Sequence, residues 1–187
     1  MMLILIQTIF VTINLIIGLY DFSFYRIPNA LLVGMLVLYV IYAPMFLTMN
    51  TIMMSALVCL ATLVVTFVLF ATKFIGGGDA KYLTVASLWV GTAGILPFIF
   101  LVTIIGGGLA IVYLVLRNHV QRLSDVIWIQ VQKTEEHFPA LQYIWAGSGT
   151  GPELGKRDNI SARMLPYGVA IAIAAIIIMV NNPLTVL

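Results

Sequence analysis

Residues 51–72 read TIMMSALVCLATLVVTFVLFAT, and no charged side chain interrupts them. As a helix rising 1.5 Å per residue, this stretch is about 33 Å long, enough to cross a hydrocarbon core of roughly 30 Å. Backbone N–H and C=O groups find no water in that core, so an isolated segment must satisfy them internally as a helix. Just beyond the stretch comes Gly76-Gly77-Gly78-Asp79-Ala80-Lys81, which sets an acid and a base at the membrane edge. Ionisable groups at membrane depth are expensive and by default mark function.

Further apolar runs lie on either side, at 3–20, 30–47, 79–96, 97–116 and 165–180. Gly91, Gly94 and Pro97 read as the turn between the fourth and fifth runs in chain order. Pro44 falls near the end of the second, where a membrane helix tolerates it. The expectation is an all-α, polytopic membrane protein with six transmembrane helices. Composition agrees, since 62% of the 187 residues are hydrophobic and 9% are charged, against about 25% charged in a soluble domain. A net charge of +2 is too weak to point to nucleic acid. The single cysteine, Cys59, has no partner for an internal disulfide or a zinc site and reads as a small buried apolar side chain. The first twenty residues lack the basic start and small-residue cleavage site of a secretory signal, so they read as a retained span.

With six spans, every charged residue falls on one face of the membrane. Asp21 and Arg26 lie between spans one and two; Lys73, Asp79 and Lys81 lie around the junction of three and four; the remainder lie in 117–164. The positive-inside rule makes that face cytoplasmic, giving an N-out, C-out topology. Within the 117–164 connection, Val120, Leu123, Ile127 and Val131 recur at helical spacing. That pattern predicts an amphipathic helix on the membrane surface, followed by a flexible glycine-rich loop at 147–152.

Asp21 and Asp79 thus share one interface. Two carboxyls in hydrogen-bonding reach hold a single proton between them; the ionised one can activate a water and the protonated one can polarise a carbonyl. The bland alternative is two independent aspartates, each solvated or paired with Arg26 or Lys81. Gly76, Gly77 and Gly78 would allow a tight turn and close approach, presenting Asp79 at a helix N-terminus. Pro28 suits a first helical turn, and Asn29 suits a cap or a bond across helices. Gln7, Asn14, Gly18 and Asp21 fall on one face of the first helix, which should point into the bundle. Lys81 projects about 200° around its helix from Asp79, which argues against a direct pair and for a cation reaching the surface. His119 and His137 match no metal-ligand spacing and read as solvated, so no metal is expected.

These strings together resemble the type IV prepilin peptidase family of GxGD intramembrane aspartyl proteases. The matching elements are Asp21 with Arg26-Ile27-Pro28-Asn29, the Gly76–Lys81 string, and Leu165-Pro166-Tyr167-Gly168 opening the last span. The resemblance implies that Asp21 and Asp79 are the catalytic pair, with Gly76, Gly78, Lys81, Arg26, Pro28 and Asn29 shaping the site. It further implies a prokaryotic inner-membrane enzyme whose active site faces the cytoplasm and whose substrates are type IV-like prepilins. Larger relatives carry an N-terminal cysteine-paired region and methylate the product; with no such region here, neither S-adenosylmethionine nor any other cofactor is expected. The short form is similar to peptidases of Flp-type, tight-adherence pili. The rival expectations are a small proton-coupled transporter using the same acids, and a noncatalytic component of a secretion assembly.

Overall fold

In the computed structural model the backbone is described for residues 1–137 and 166–181, and side chains for 1–115 and 166–181. Five helices make up the described chain: α1 (Met2–Phe24), α2 (Asn29–Phe46), α3 (Met49–Ala71), α4 (Gly77–His137) and α5 (Tyr167–Asn181). Among the described residues there is no strand. Three whole helices and the Gly77–Val115 part of α4 are long and apolar enough to cross a membrane, and Tyr167–Asn181 is a shorter apolar helix.

Local chemistry sets the boundaries. α1 closes at Tyr25, whose left-handed backbone (φ 53°) turns its N–H onto the Asp21 carbonyl at 2.8 Å. Pro28 stands outside α2, extended at φ −64° and ψ 124°, and the helix begins at Asn29. The sequence had suggested the first helical turn for Pro28, but its backbone is that of an N-cap. Thr48 caps α3 by accepting the Thr51 N–H at 3.3 Å. Lys73, also left-handed at φ 63°, follows its end.

The fourth and fifth expected spans form one helical run, and that run doubles back on itself. Near its start, Gly78 faces the Ile27 side chain, and the Ile27 tip also meets Gly168. Gly106 lies against the ring of Tyr167, next to Gly168 in the chain, whereas Gly94 lies against Ile178 at the other end of α5. A straight helix would put Gly78 and Gly106 about 42 Å apart, far more than this chain of contacts spans. The break is at Gly91, buried and left-handed at φ 63°, a conformation that glycine adopts without penalty and that commonly ends helices. Helical backbone then continues through 117–137 as part of α4, in the connection where a separate surface helix had been expected; residues 138–165, including the expected flexible loop, lie outside the described residues.

The core forms where α1, α2, α5 and the first arm of α4 meet. Trp89 is buried against Phe10 (ring centroids 4.7 Å apart), Tyr39 and Tyr42, and its indole N–H donates to the Met35 carbonyl at 3.2 Å. Gly18 lets α1 close on α5, its Cα position facing the Ala172 methyl. The polar stripe of α1 does point inward: Gln7 donates to the Met179 carbonyl, and Asn14 is fully buried. α3 is more peripheral, with Ser55 and Thr66 as its buried residues. Its seam with α4 is polar: Thr66 and Thr84 hydroxyls are 3.2 Å apart, and Cys59 Sγ donates to the Thr84 carbonyl at 3.4 Å. Cys59 is therefore only half-buried and serves as a donor across helices, not as the fully buried apolar group that composition suggested. Much of the rest of α3, including Leu57, Leu60, Val64 and Phe67, is exposed, as suits a helix that faces lipid.

Candidate functional site

Asp21 sits in the last turn of α1 and is only 4% exposed. Its carboxylate accepts backbone N–H groups of Gly168 and Val169, at the very start of α5. The Val169 N–H is shared with the Pro166 carbonyl at 3.3 Å, and the helix dipole favours a carboxylate at this helix start. The Oδ2 oxygen of Asp21, by contrast, is buried without any hydrogen-bond partner. Gly168 makes this docking possible: a Cβ there would lie 2.8 Å from Oδ2.

Asp79 is the third residue of α4 and is partly buried. It reaches back to accept the N–H of Gly76, the residue just before the helix, as acidic residues at this position do in a capping box. A Cβ on Gly76 would sit 3.0 Å from Asp79 Oδ2, so any larger residue would press on the carboxylate as it folds over this turn. Asp21 lies within the electrostatic reach of Asp79. Both carboxylates line a single cavity of about 1330 Å³.

The other site residues foreseen from sequence take distinct places. Gly76 and Gly78 line the cavity with the two aspartates, as do Arg26, Asn29 and Lys81. Lys81 is exposed and donates to Asn29 Oδ1 at 3.4 Å, so it ties α4 to α2. Arg26 is also exposed at the rim. Pro28 is buried but not part of the cavity wall; it starts α2 in the right place. Among the described residues no group of three or more metal-ligating side chains comes together.

Several contributors were not singled out from sequence. Ile27 is a wedge between Gly78 and Gly168, joining the two helix starts that carry the aspartates' N–H donors. Tyr82 is fully buried and donates to Asn14 Oδ1 at 2.5 Å, bridging α4 and α1. Its position three residues after Asp79, on the same helical face, was the available signal. Beyond the aspartates the cavity extends between α3 (Val58, Ala61, Thr62, Val65, Leu69) and the second arm of α4 (Ile95, Ile99, Val102, Thr103).

Compared with known families, residues 8–111 match the type IV leader peptidase family. The chain belongs to that family. The matched segment takes in both aspartates, most of α1, all of α2 and α3, and α4 as far as residue 111. No curated protein and no solved structure gives a match. Membership identifies the molecule as a protease of the leader-peptidase kind, and its apolar helices make it a multi-pass membrane protein. In this leader peptidase α5 lies outside the matched residues, yet it supplies two backbone donors to Asp21.

Proposed function

We propose that this leader peptidase is an aspartic endopeptidase that uses Asp21 and Asp79 to remove the leader from type IV-like prepilins. The observation that carries the proposal is the convergence of two carboxylates, from helices α1 and α4, on one cavity, with Asp21 Oδ2 left unpartnered. A water held between them loses its proton to the ionised carboxylate as it attacks the scissile carbonyl. The protonated partner donates to the carbonyl oxygen, and the proton returns to the departing amine when the C–N bond breaks.

The chain crosses the membrane six times in this proposal, because α4 doubles back at Gly91 and contributes two crossings. Its charged end, with Arg26, Lys73 and Lys81 around the cavity, faces the cytoplasm of a prokaryotic inner membrane. A prepilin would present its leader at that end and lay the following apolar segment between α3 and the second arm of α4. With a helix about 10–12 Å across, the cavity of about 1330 Å³ has room for roughly ten residues. A site at one end of the bundle suits cleavage at the interface better than transport, whose sites lie near the midplane.

Co-expression with Flp-type and other type IV-like prepilins tests the proposal. Asp21→Asn and Asp79→Asn should each abolish leader removal while the protein remains inserted and abundant. Processing retained by either variant would refute it.

A further inference from the structure

We propose that Tyr82 and Asn14 form a buried strut that sets the spacing of the two aspartates, making Tyr82 a positioning residue for peptide cleavage. This rests on the aspartic reading above and extends it to residues that do not touch the substrate. α1 packs chiefly on α5, and its direct contact with α4 is thin. Asp21 and Asp79 therefore sit on helices held in register chiefly through α5, with few direct contacts between them.

The Tyr82 hydroxyl bridges that gap, donating to Asn14 Oδ1 at 2.5 Å. The two side chains are both 0% exposed. Asn14 is itself fixed, because its Nδ2 donates to the Phe10 carbonyl at 2.8 Å within α1. Tyr82 lies three residues after Asp79, and Asn14 seven before Asp21, so each strut partner shares a helical face with one aspartate. Tyr82 is also close enough to Asp21 to feel its charge. A bond at this level resists both sliding and rotation of one helix past the other, and a slip of one residue would mean about 1.5 Å and 100°.

The test uses the full-length protein in proteoliposomes with a prepilin substrate. Tyr82→Phe keeps the ring and removes the bond. It should lower kcat by about 10- to 100-fold, the effect of misplacing reacting groups by a fraction of an ångström to one ångström, with KM changed less than about twofold. Tyr82→Phe combined with Asn14→Leu leaves no orphaned polar atom, so it should fold well yet be no more active than the single variant. A second readout does not depend on catalysis. In a Cys59→Ala background, Asp21→Cys and Asp79→Cys are joined with a short bifunctional thiol reagent, and Tyr82→Phe should lower the yield. Unchanged kcat and unchanged cross-linking in a folded Tyr82→Phe protein would overturn the strut. If Asp21→Asn or Asp79→Asn still cleaved, the aspartic reading would fall, while cross-linking would still report on whether Tyr82 sets the spacing.

Discussion

Gly168→Ala should separate catalysis from folding in this protein. The added methyl would lie 2.8 Å from Asp21 Oδ2, 2.9 Å from Asp21 Cγ and 3.0 Å from Ile27 Cδ1. Non-bonded heavy atoms sit comfortably at about 3.5 Å, so the Asp21 carboxylate must retreat by roughly half an ångström or more. It cannot do so without loosening the N–H groups of Gly168 and Val169 that hold it. Since a displacement of about 1 Å can cost 10²-fold in rate, cleavage should slow by about 10- to 100-fold, or about 1.4–2.8 kcal/mol of transition-state stabilisation. Stability should move little, because alanine is the better helix former by up to about 1 kcal/mol, which offsets the local strain. Gly34→Ala is the control, since nothing lies within 4 Å of its added methyl. The assay is the initial rate of leader removal by purified protein in proteoliposomes, with thermal unfolding measured on the same samples. A Gly168→Ala protein that unfolds like wild type and cleaves at the wild-type rate would show that the Asp21 carboxylate does not take part where the structure puts it.

Two further predictions concern the scaffold. Trp89→Ala empties the aromatic core between Phe10, Tyr39 and Tyr42, and should destabilise the protein by about 3–5 kcal/mol, seen as a lower unfolding temperature in detergent. Gly91→Val forces a β-branched residue to φ 63°, and should lower stability by about 1–3 kcal/mol, whereas Gly91→Asn should be milder; equal unfolding temperatures for the two variants would argue against a reversal at this residue.

Most of the fold was legible because lipid leaves the chain few options. Apolar runs had to be helices, and α1, α2, α3 and α5 begin and end within a few residues of where hydropathy alone puts them. Gly91 was legible as a turn, but not as a left-handed residue within one unbroken helical run. The errors fall on local detail that hydropathy does not carry. Pro28 caps α2 instead of entering it, and Cys59 is half-buried because its thiol finds the Thr84 carbonyl. The stripe of Gln7, Asn14, Gly18 and Asp21 was visible in its spacing. Its partners were not, because hydropathy does not say which helix packs on which. Gly168 shows the same limit: it is 89 positions after Asp79 in the chain, and only packing brings α5 to Asp21.

The polar atoms that packing leaves unsatisfied are informative in turn. Three buried side-chain oxygens among the described residues have no hydrogen-bond partner: Asp21 Oδ2 and the hydroxyls of Tyr39 and Tyr113. A tyrosine hydroxyl left this way costs a few kcal/mol at most. A carboxylate oxygen is more expensive, and a sequence selected only for stability would replace it with an apolar residue of similar size, as buried ionic groups elsewhere can be replaced without loss. Here the chain does the opposite. It spends a glycine at 168 to let the carboxylate in, and supplies it with two backbone donors while leaving Oδ2 buried and unpartnered in a residue that lines the cavity shared with Asp79. That arrangement makes physical sense if a water or a substrate group completes the site. It therefore predicts that a statine-type transition-state analogue, whose hydroxyl would fill the space between the carboxylates, raises the unfolding temperature of wild type and fails to do so for Asp21→Asn.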